Sequence, residues 1–264
     1  MESDNRSTIH GDGGADLLAP VRGSGESRVL VRLYGHPRSE TAAEFVDGAD
    51  ALVRRFVHTE PDETPPGEDE ADDGRGGRDG GETEHREREI GLQIVPVAPE
   101  LRSRTARASH AVRQCIRTIA GGSSVGTPAI AAGGYIAADR GGWDAQLAYH
   151  RWVHSREDPF DRDRRDLAET IVGIVDDAAP SARAANGRDR DGETNVDTVR
   201  EALSSGQCRG RVRRATRAWL RDVPRLEAVD PKEAVVYVNG ARVRSGTPED
   251  ISRAIVAARE VMSR

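Results

Sequence analysis

The stretch that decides the fold reads Val-Gly-Thr-Pro-Ala-Ile-Ala-Ala-Gly-Gly-Tyr-Ile-Ala-Ala-Asp-Arg-Gly-Gly-Trp and occupies residues 125–143. Two short apolar runs, 129–132 and 135–138, flank Gly133-Gly134, a pattern typical of two strands joined by a tight hairpin turn. Pro128 precedes the first run, where a strand start can spare a backbone donor. A second Gly-Gly pair leads into a helical pattern. The stretch therefore predicts strand, hairpin, strand and helix.

The segments before this stretch predict two strands and two helices. In residues 28–34, Val29, Val31 and Leu33 would lie on one face of an extended chain, and Leu30, Arg32 and Tyr34 on the other. This period of two indicates a strand. Ser39 can cap a helix that runs to about residue 57. A second strand is expected at 90–97, and a second helix from Pro99 to about residue 120.

The resulting order of strands and helices over residues 28–156 resembles the thioredoxin fold. Thr127 and Pro128 resemble the Thr-Pro of that family, in which the proline is cis and faces the active site. The family's redox motif follows the first strand and usually reads Cys-Pro-x-Cys or Cys-Pro-x-Ser. Here the same place reads His-Pro-Arg-Ser, residues 36–39. The motif's proline is present and both cysteine positions are replaced.

This departure sets the functional prediction. Disulfide exchange needs a thiolate that attacks sulfur, and neither His36 nor Ser39 can replace it. The resemblance therefore implies a thioredoxin-like module without redox activity. The binding loop that it implies is formed by His36, Pro37, Ser39, Thr127 and Pro128.

The end of the chain carries a second hairpin signal. Asn239-Gly240 separates residues 234–238 from residues 242–244, and Thr247 can cap a last helix that starts at Pro248. This segment is similar to the end of thioredoxin-like [2Fe-2S] ferredoxins. A cluster of that type needs four cysteines, and this half contains only Cys208. A cluster held by this chain alone is therefore excluded.

Composition divides the 264-residue chain into parts. Residues 1–26 are rich in Gly, Asp and Ser and are expected to be disordered. We expect a thioredoxin-like domain over 27–160, with a disordered acidic insert at 60–88. A helix and linker at 161–194 and a small α/β part at 195–264 complete the predicted organisation. The predicted fold class is α/β, a thioredoxin-like mixed sheet flanked by helices.

The cellular setting is also a prediction from composition. Cys115 and Cys208 are far apart, no secretory pattern is visible, and no apolar run approaches the roughly 20 residues of a membrane helix. We therefore expect a soluble cytoplasmic protein without a membrane partner. Among the 39 basic residues only Lys232 is a lysine, and with 45 acidic residues this resembles the composition of proteins from salt-loving organisms.

Two histidines suggest a metal-dependent enzyme as one alternative. His150 and His154 lie four residues apart on a predicted helix, so both imidazoles face the same side, as a divalent metal requires. Glu157 could add a carboxylate. Two histidines hydrogen-bonded at a domain seam would show the same spacing. A metal site would also need a third ligand from elsewhere in the chain. No cofactor can be named from the sequence.

An arginine-rich helix suggests nucleic-acid binding as another alternative. Residues 205–221 contain no acid. The candidate phosphate contacts are Arg211, Arg213, Arg214, Arg217 and Arg221. A solvated helix face, or one that docks the acidic insert, gives the same pattern, and the interleaved aromatic residues of single-strand binders are missing. The leading prediction is thus a non-catalytic thioredoxin-like binding or adaptor protein, with a protein as its partner.

Overall fold

The computed structural model describes residues 29–56, 90–101, 105, 107–109, 111–112, 125–155, 160, 162–186, 194–222, 234–243 and 245–262. The predicted N-terminal segment 1–26 and the acidic insert 60–88 lie outside these residues. None of the described helices is long and apolar enough to span a membrane.

Four strands form one mixed sheet. They are β1 (Val29–Gly35), β2 (Ile90–Pro96), β3 (Val235–Val238) and β4 (Ala241–Val243), in the order β2-β1-β3-β4. β1 is parallel to β2 and antiparallel to β3, and β3 is antiparallel to β4. The strands predicted at 28–34 and 90–97 are thereby confirmed.

Residues 105, 107–109 and 111–112 are helical. Six further α-helices, all within the described residues, cover the two faces of the sheet. They are α1 (Glu40–Phe56), α2 (Thr127–Ser155), α3 (Arg164–Asn186), α4 (Val196–Ser204), α5 (Gly206–Asp222) and α6 (Pro248–Met262). A short 3-10 helix, Pro99–Leu101, follows β2. Helices α2 to α5 all lie between β2 and β3 in the chain. The sequence predicted only one helix, from Pro99 to about residue 120, between the second and third strands.

Alternation along the strands separates two cores. Val31, Leu33 and Leu92 point to the face covered by α1 and α6. Tyr34 and Val95 point to the opposite face, where they pack with the helices inserted between β2 and β3. The period of two that predicted β1 thus distributes its side chains between both cores.

The hairpin predicted at Gly133-Gly134 is wrong, because residues 129–138 belong to helix α2. The helix bends at Gly142, whose φ of 74° and ψ of −158° lie outside the helical region. The hydroxyl of Tyr149 donates to the carbonyl of Ile130 over 2.7 Å. A straight helix would separate these residues by about 28 Å at a rise of 1.5 Å per residue. The two arms of α2, residues 127–141 and 143–155, therefore fold back on each other, and the helix predicted from Trp143 is the second arm.

Close packing explains the first glycine pair. A Cβ added to Gly133 would lie 2.3 Å from the hydroxyl oxygen of Tyr149, and one on Gly134 would lie 2.9 Å from Nε2 of His150. Glycine is needed here for the contact between the arms of α2. The flanking alanines are good helix formers, which the hairpin interpretation left aside.

Pro128 also differs from its predicted role. The described residues contain no cis peptide bond, and Pro128 lies in the first turn of α2. Proline is favoured there because the first helical residues have no intrahelical partner for their N–H groups. Thr127 and Pro128 are therefore not the Thr-Pro of the thioredoxin family, and the strand that begins beside residues 36–39 is β3.

The second predicted hairpin is confirmed but belongs to the same sheet. Asn239 and Gly240 have φ values of 47° and 82°, as a tight turn between β3 and β4 requires. The backbone N–H of Leu30 donates to Oδ1 of Asn239 over 2.7 Å. Residues 195–264 therefore supply the third and fourth strands of the sheet, and the boundary drawn at residue 160 cuts through it. Most of the predicted helix and linker at 161–194 is helix, since α3 runs from Arg164 to Asn186.

Candidate functional site

The turn at residues 36–39 joins β1 to α1, where the resemblance places it. The N–H of Ser39 donates to the carbonyl of His36 over 3.0 Å, and the N–H of Arg38 donates to Nδ1 of His36 over 3.1 Å. His36 and Ser39 are each 4% exposed. The turn is therefore closed by its own hydrogen bonds, and both residues at the family's cysteine positions lie in the interior.

The hydroxyl oxygen of Ser39 accepts two backbone N–H groups. The N–H of Ala42 donates to it over 3.3 Å, so this hydroxyl caps helix α1 and confirms Ser39 as the predicted N-cap. The N–H of Ala234, immediately before β3, donates over 2.8 Å. Proline has no N–H and could not make this bond. The residue that faces the turn is thus Ala234, which the sequence did not reveal because the resemblance assigned that role to Pro128.

Arg38 is the residue of this turn that reaches solvent. Its guanidinium carbon lies 4.1 Å from the ring centroid of Phe160, within the range of a cation–π contact. The other three residues of the turn are buried. The guanidinium of Arg38, stacked on Phe160, is therefore the charged group at the surface of this turn.

The two histidines of α2 lie side by side. The rings of His150 and His154 are 6.4 Å apart and nearly parallel. Burial lowers the pKa of His150 to about 3, with His154 adding to the effect. Burial also lowers the pKa of His154 to about 4, with Asp47 opposing and His36 reinforcing the shift. Both imidazoles are therefore neutral at pH 7.

The metal interpretation gains no support from the described residues. They contain no group of three or more His, Cys, Asp or Glu side chains arranged to hold an ion. Nε2 of His150 is buried and has no hydrogen-bond partner among them. Glu157 lies outside the described residues. A pair of neutral stacked imidazoles against the core accounts for what the structure shows.

The five arginines of helix α5 that were predicted to contact phosphate lie in three different environments. Val212, Ala215 and Trp219 face the core, as the helical period predicts. Arg211 donates to both carboxylate oxygens of Asp139, over 2.8 and 2.6 Å, and lies 4.7 Å from the ring centroid of Tyr135. Arg211 is therefore held within the protein.

The remaining arginines of α5 lie on two sides. Arg214, Arg217 and Arg221 are exposed. Arg213 instead lines a cavity. The five residues proposed as one phosphate footprint are thus not brought together on one surface.

Cys208, at the start of α5, is half-buried. Burial raises the pKa of its thiol, and although Ser205 and Arg211 oppose the shift, Asp139 reinforces it. The neutral thiol is therefore the favoured form of Cys208. Its partner in the sequence, Cys115, lies outside the described residues.

A cavity of about 400 Å³ lies among the starts of several helices. Four arginines line it, from segments far apart in the chain: Arg107, Arg164, Arg209 and Arg213. Leu101, Leu203 and Pro128 contribute apolar wall. Sequence reasoning missed this cluster because the arginines come from three separate parts of the chain, and only a run of basic residues within one segment was visible.

Comparison with known proteins concerns the fold. No family model matches the chain, and no curated protein is similar to it in sequence. The crystal structure of Chlamydia trachomatis DsbA is similar with a TM-score of 0.54 at 12% identity, over 93% of this chain and 92% of that one. The oxidised form of BdbD from Bacillus subtilis gives a TM-score of 0.49 at 11% identity, over 91% and 92% of the two chains. DsbA-type proteins have a thioredoxin-like fold. The β-α-β and β-β-α order of the sheet agrees with that likeness, and the chain has a thioredoxin-like fold.

Proposed function

We propose that this protein is a thioredoxin-like binding protein that has no thiol-disulfide activity at its 36–39 turn. The observation that carries the proposal is the hydroxyl of Ser39, which accepts N–H groups from Ala42 and Ala234 in the interior. A serine hydroxyl in that position caps a helix and anchors a strand. It supplies no thiolate for exchange.

The same region offers a place for a partner protein. Arg38 is exposed and stacked on Phe160, which is itself buried. Arginines held over aromatic rings are frequent anchors of protein interfaces, because the fixed guanidinium loses little side-chain entropy on binding. We infer that a partner protein contacts the surface around Arg38.

The redox part of the proposal is tested by restoring the motif. Wild-type protein should reduce insulin disulfides with dithiothreitol no faster than the reductant alone. The double variant His36→Cys with Ser39→Cys, made in a background with Cys115→Ser and Cys208→Ser, should form an intramolecular disulfide and accelerate the reaction. Turnover by the wild type that is retained in Cys115→Ser with Cys208→Ser would contradict the proposal, since it would then depend on neither cysteine outside the turn.

The binding part is tested with two charge reversals. Wild-type protein should capture a partner from a lysate of the source cells, and Arg38→Glu should lose it. Arg165→Glu is the matched control, since Arg165 is also exposed and lies on another helix. Equal capture by both variants would show that the surface around Arg38 is not the contact site.

Nucleic-acid association is the second candidate, favoured by one observation. Arg214, Arg217 and Arg221 are exposed on α5, within a segment that contains no acid. If they contact phosphates, replacing all three with alanine should weaken binding to generic duplex DNA and reduce the slope against salt concentration by about 3. Arg165, Arg200 and Arg253, each in a local ion pair, form the control triple. No gel shift at low salt would remove this candidate.

A further inference from the structure

The arginine-lined cavity collects positive charge from helices as well as from side chains. Helices α2 and α5 both begin at it, with Pro128 and Arg209 on its wall and no acidic residue in either first turn. The N-terminus of a helix carries a partial positive charge. Helix α3 begins there with Arg164, although Asp163 already caps its first N–H groups. The C-terminus of α4, near Leu203, carries a partial negative charge that offsets part of this positive charge.

The four arginines have no acidic counterpart in the described part of the chain. No ion pair joins Arg107, Arg164, Arg209 or Arg213 to a described carboxylate. No Asp or Glu is among the described residues that line the cavity. Leu101, Arg107, Ala111 and Pro128 of one wall come from a sequence range, 101–138, that contains no acidic residue. Like charges gathered in a concave site repel one another, so the arrangement favours an anion that would neutralise them.

Arg213 gives the cluster its inner member. Its Nε is buried and has no hydrogen-bond partner among the described residues. A buried donor without a partner costs free energy, unless a ligand accepts its hydrogen bond. An anion in the cavity would supply that acceptor.

We propose that this cavity binds a small organic molecule that carries a phosphoryl group. Guanidinium groups bind phosphate oxygens in pairs, and several of them match the two or three charges of a phosphate or diphosphate better than the single charge of a carboxylate. The cavity volume of about 400 Å³ suits a molecule of nucleotide size. Leu101 and Leu203 offer apolar contact for its organic part.

This inference does not depend on the proposed lack of redox activity. It also differs from nucleic-acid association, because Arg214 and Arg217 do not line the cavity. A nucleic acid would contact the exposed face of α5, whereas a small phosphate ester would lie in the cavity on the other side of the helix. The two sources of a phosphoryl group are therefore separable by mutation.

Isothermal titration calorimetry with pyrophosphate and with ADP, at constant ionic strength, tests the proposal. The wild type should bind at least one of them with 1:1 stoichiometry. Arg164→Gln with Arg209→Gln should weaken that binding about tenfold or more, because both guanidiniums are removed from the site. Both residues are exposed, so this variant should fold like the wild type.

Arg214→Gln with Arg217→Gln is the matched control, with the same change in net charge. It should bind the same probe within about twofold of the wild type. No heat from either probe up to about 10 mM would overturn the proposal. An equal loss of binding in both double variants would overturn it as well, since binding would then follow overall charge. Displacement of the probe by a 20-nucleotide DNA, if it requires Arg214 and Arg217, would also overturn the proposal.

Discussion

The backbone N–H of Ala234 donates to the hydroxyl of Ser39 over 2.8 Å, across 195 residues of sequence. This bond ties the start of β3 to the turn that opens α1. The same hydroxyl caps α1 through Ala42. One buried oxygen thus joins a helix start to a strand start, at the place where the thioredoxin family has its second motif position.

Replacing Ser39 with alanine should therefore be costly. The substitution removes the N-cap of α1 and leaves the buried N–H of Ala234 without an acceptor, so we expect a loss of about 2–4 kcal/mol in the free energy of unfolding. Urea denaturation followed by circular dichroism measures it. Ser204→Ala, at an exposed helix end, should change stability by less than about 0.5 kcal/mol. Similar values for the two variants would contradict the role of Ser39.

Glycines 133 and 173 should respond in opposite ways to alanine. A Cβ on Gly133 would lie 2.3 Å from the Tyr149 hydroxyl, so Gly133→Ala should destabilise the protein by about 1–3 kcal/mol through overpacking. Gly173 lies in helix α3 with nothing within 4 Å of the added carbon. Gly173→Ala should stabilise by about 0.5–1 kcal/mol, because alanine is the better helix former. Thermal unfolding of both variants gives the comparison, and a stabilising Gly133→Ala would refute the packed bend of α2.

Stability should fall in mild acid because of His150. Its pKa is lowered by burial to about 3 in the folded protein, from 6.5 in an unfolded chain. Between these values the unfolded chain binds the proton more strongly, so stability is complete above about pH 6.5 and is lost as the pH falls. At pH 5 the loss from this one residue is about 2 kcal/mol. Denaturation midpoints between pH 7.5 and 4.5 measure this loss.

His150→Gln should flatten that pH profile. Glutamine has a similar length and no titration in this range. A smaller dependence of stability on pH should remain from His154, because this residue is less buried and lies near Asp47 and His36. A profile that is unchanged in His150→Gln would show that the acid sensitivity arises elsewhere.

The thiol of Cys208 should react slowly. Burial raises its pKa, so less thiolate is present at pH 8 than for a free cysteine. In a Cys115→Ser background, alkylation by iodoacetamide should be several times slower in the folded protein than in urea. Asp139→Asn should raise the folded rate, since Asp139 adds to the pKa shift. Equal rates in folded and unfolded protein would place the thiol at the surface.

The sequence predicted the elements whose signals are local. Alternating apolar residues predicted β1, Ser39 predicted the start of α1, and Asn239-Gly240 predicted the β3–β4 turn. Thr247 caps α6 as expected, with the N–H of Asp250 as donor over 3.5 Å. Each of these depends on contacts within a few residues, which a sequence displays directly.

The errors concern signals that have two physical meanings. Gly133-Gly134 can turn a chain or make room for a neighbouring side chain, and only the position of Tyr149 and His150 shows which applies. Pro128 can open a strand or a helix. The position of the family's motif at 36–39 was predictable, but its partner Ala234 and the arginine cavity depend on residues that meet only in the folded chain.

The register of the sheet has a consequence for how the chain folds as it is made. Val31 of β1 pairs with Val238 of β3, so the second edge of β1 has no strand until the chain up to β3 has left the ribosome. Such distant pairings fold slowly, because a long loop must close before the contact forms. During synthesis β1 and β2 therefore present an open edge on the nascent chain until β3 has been made.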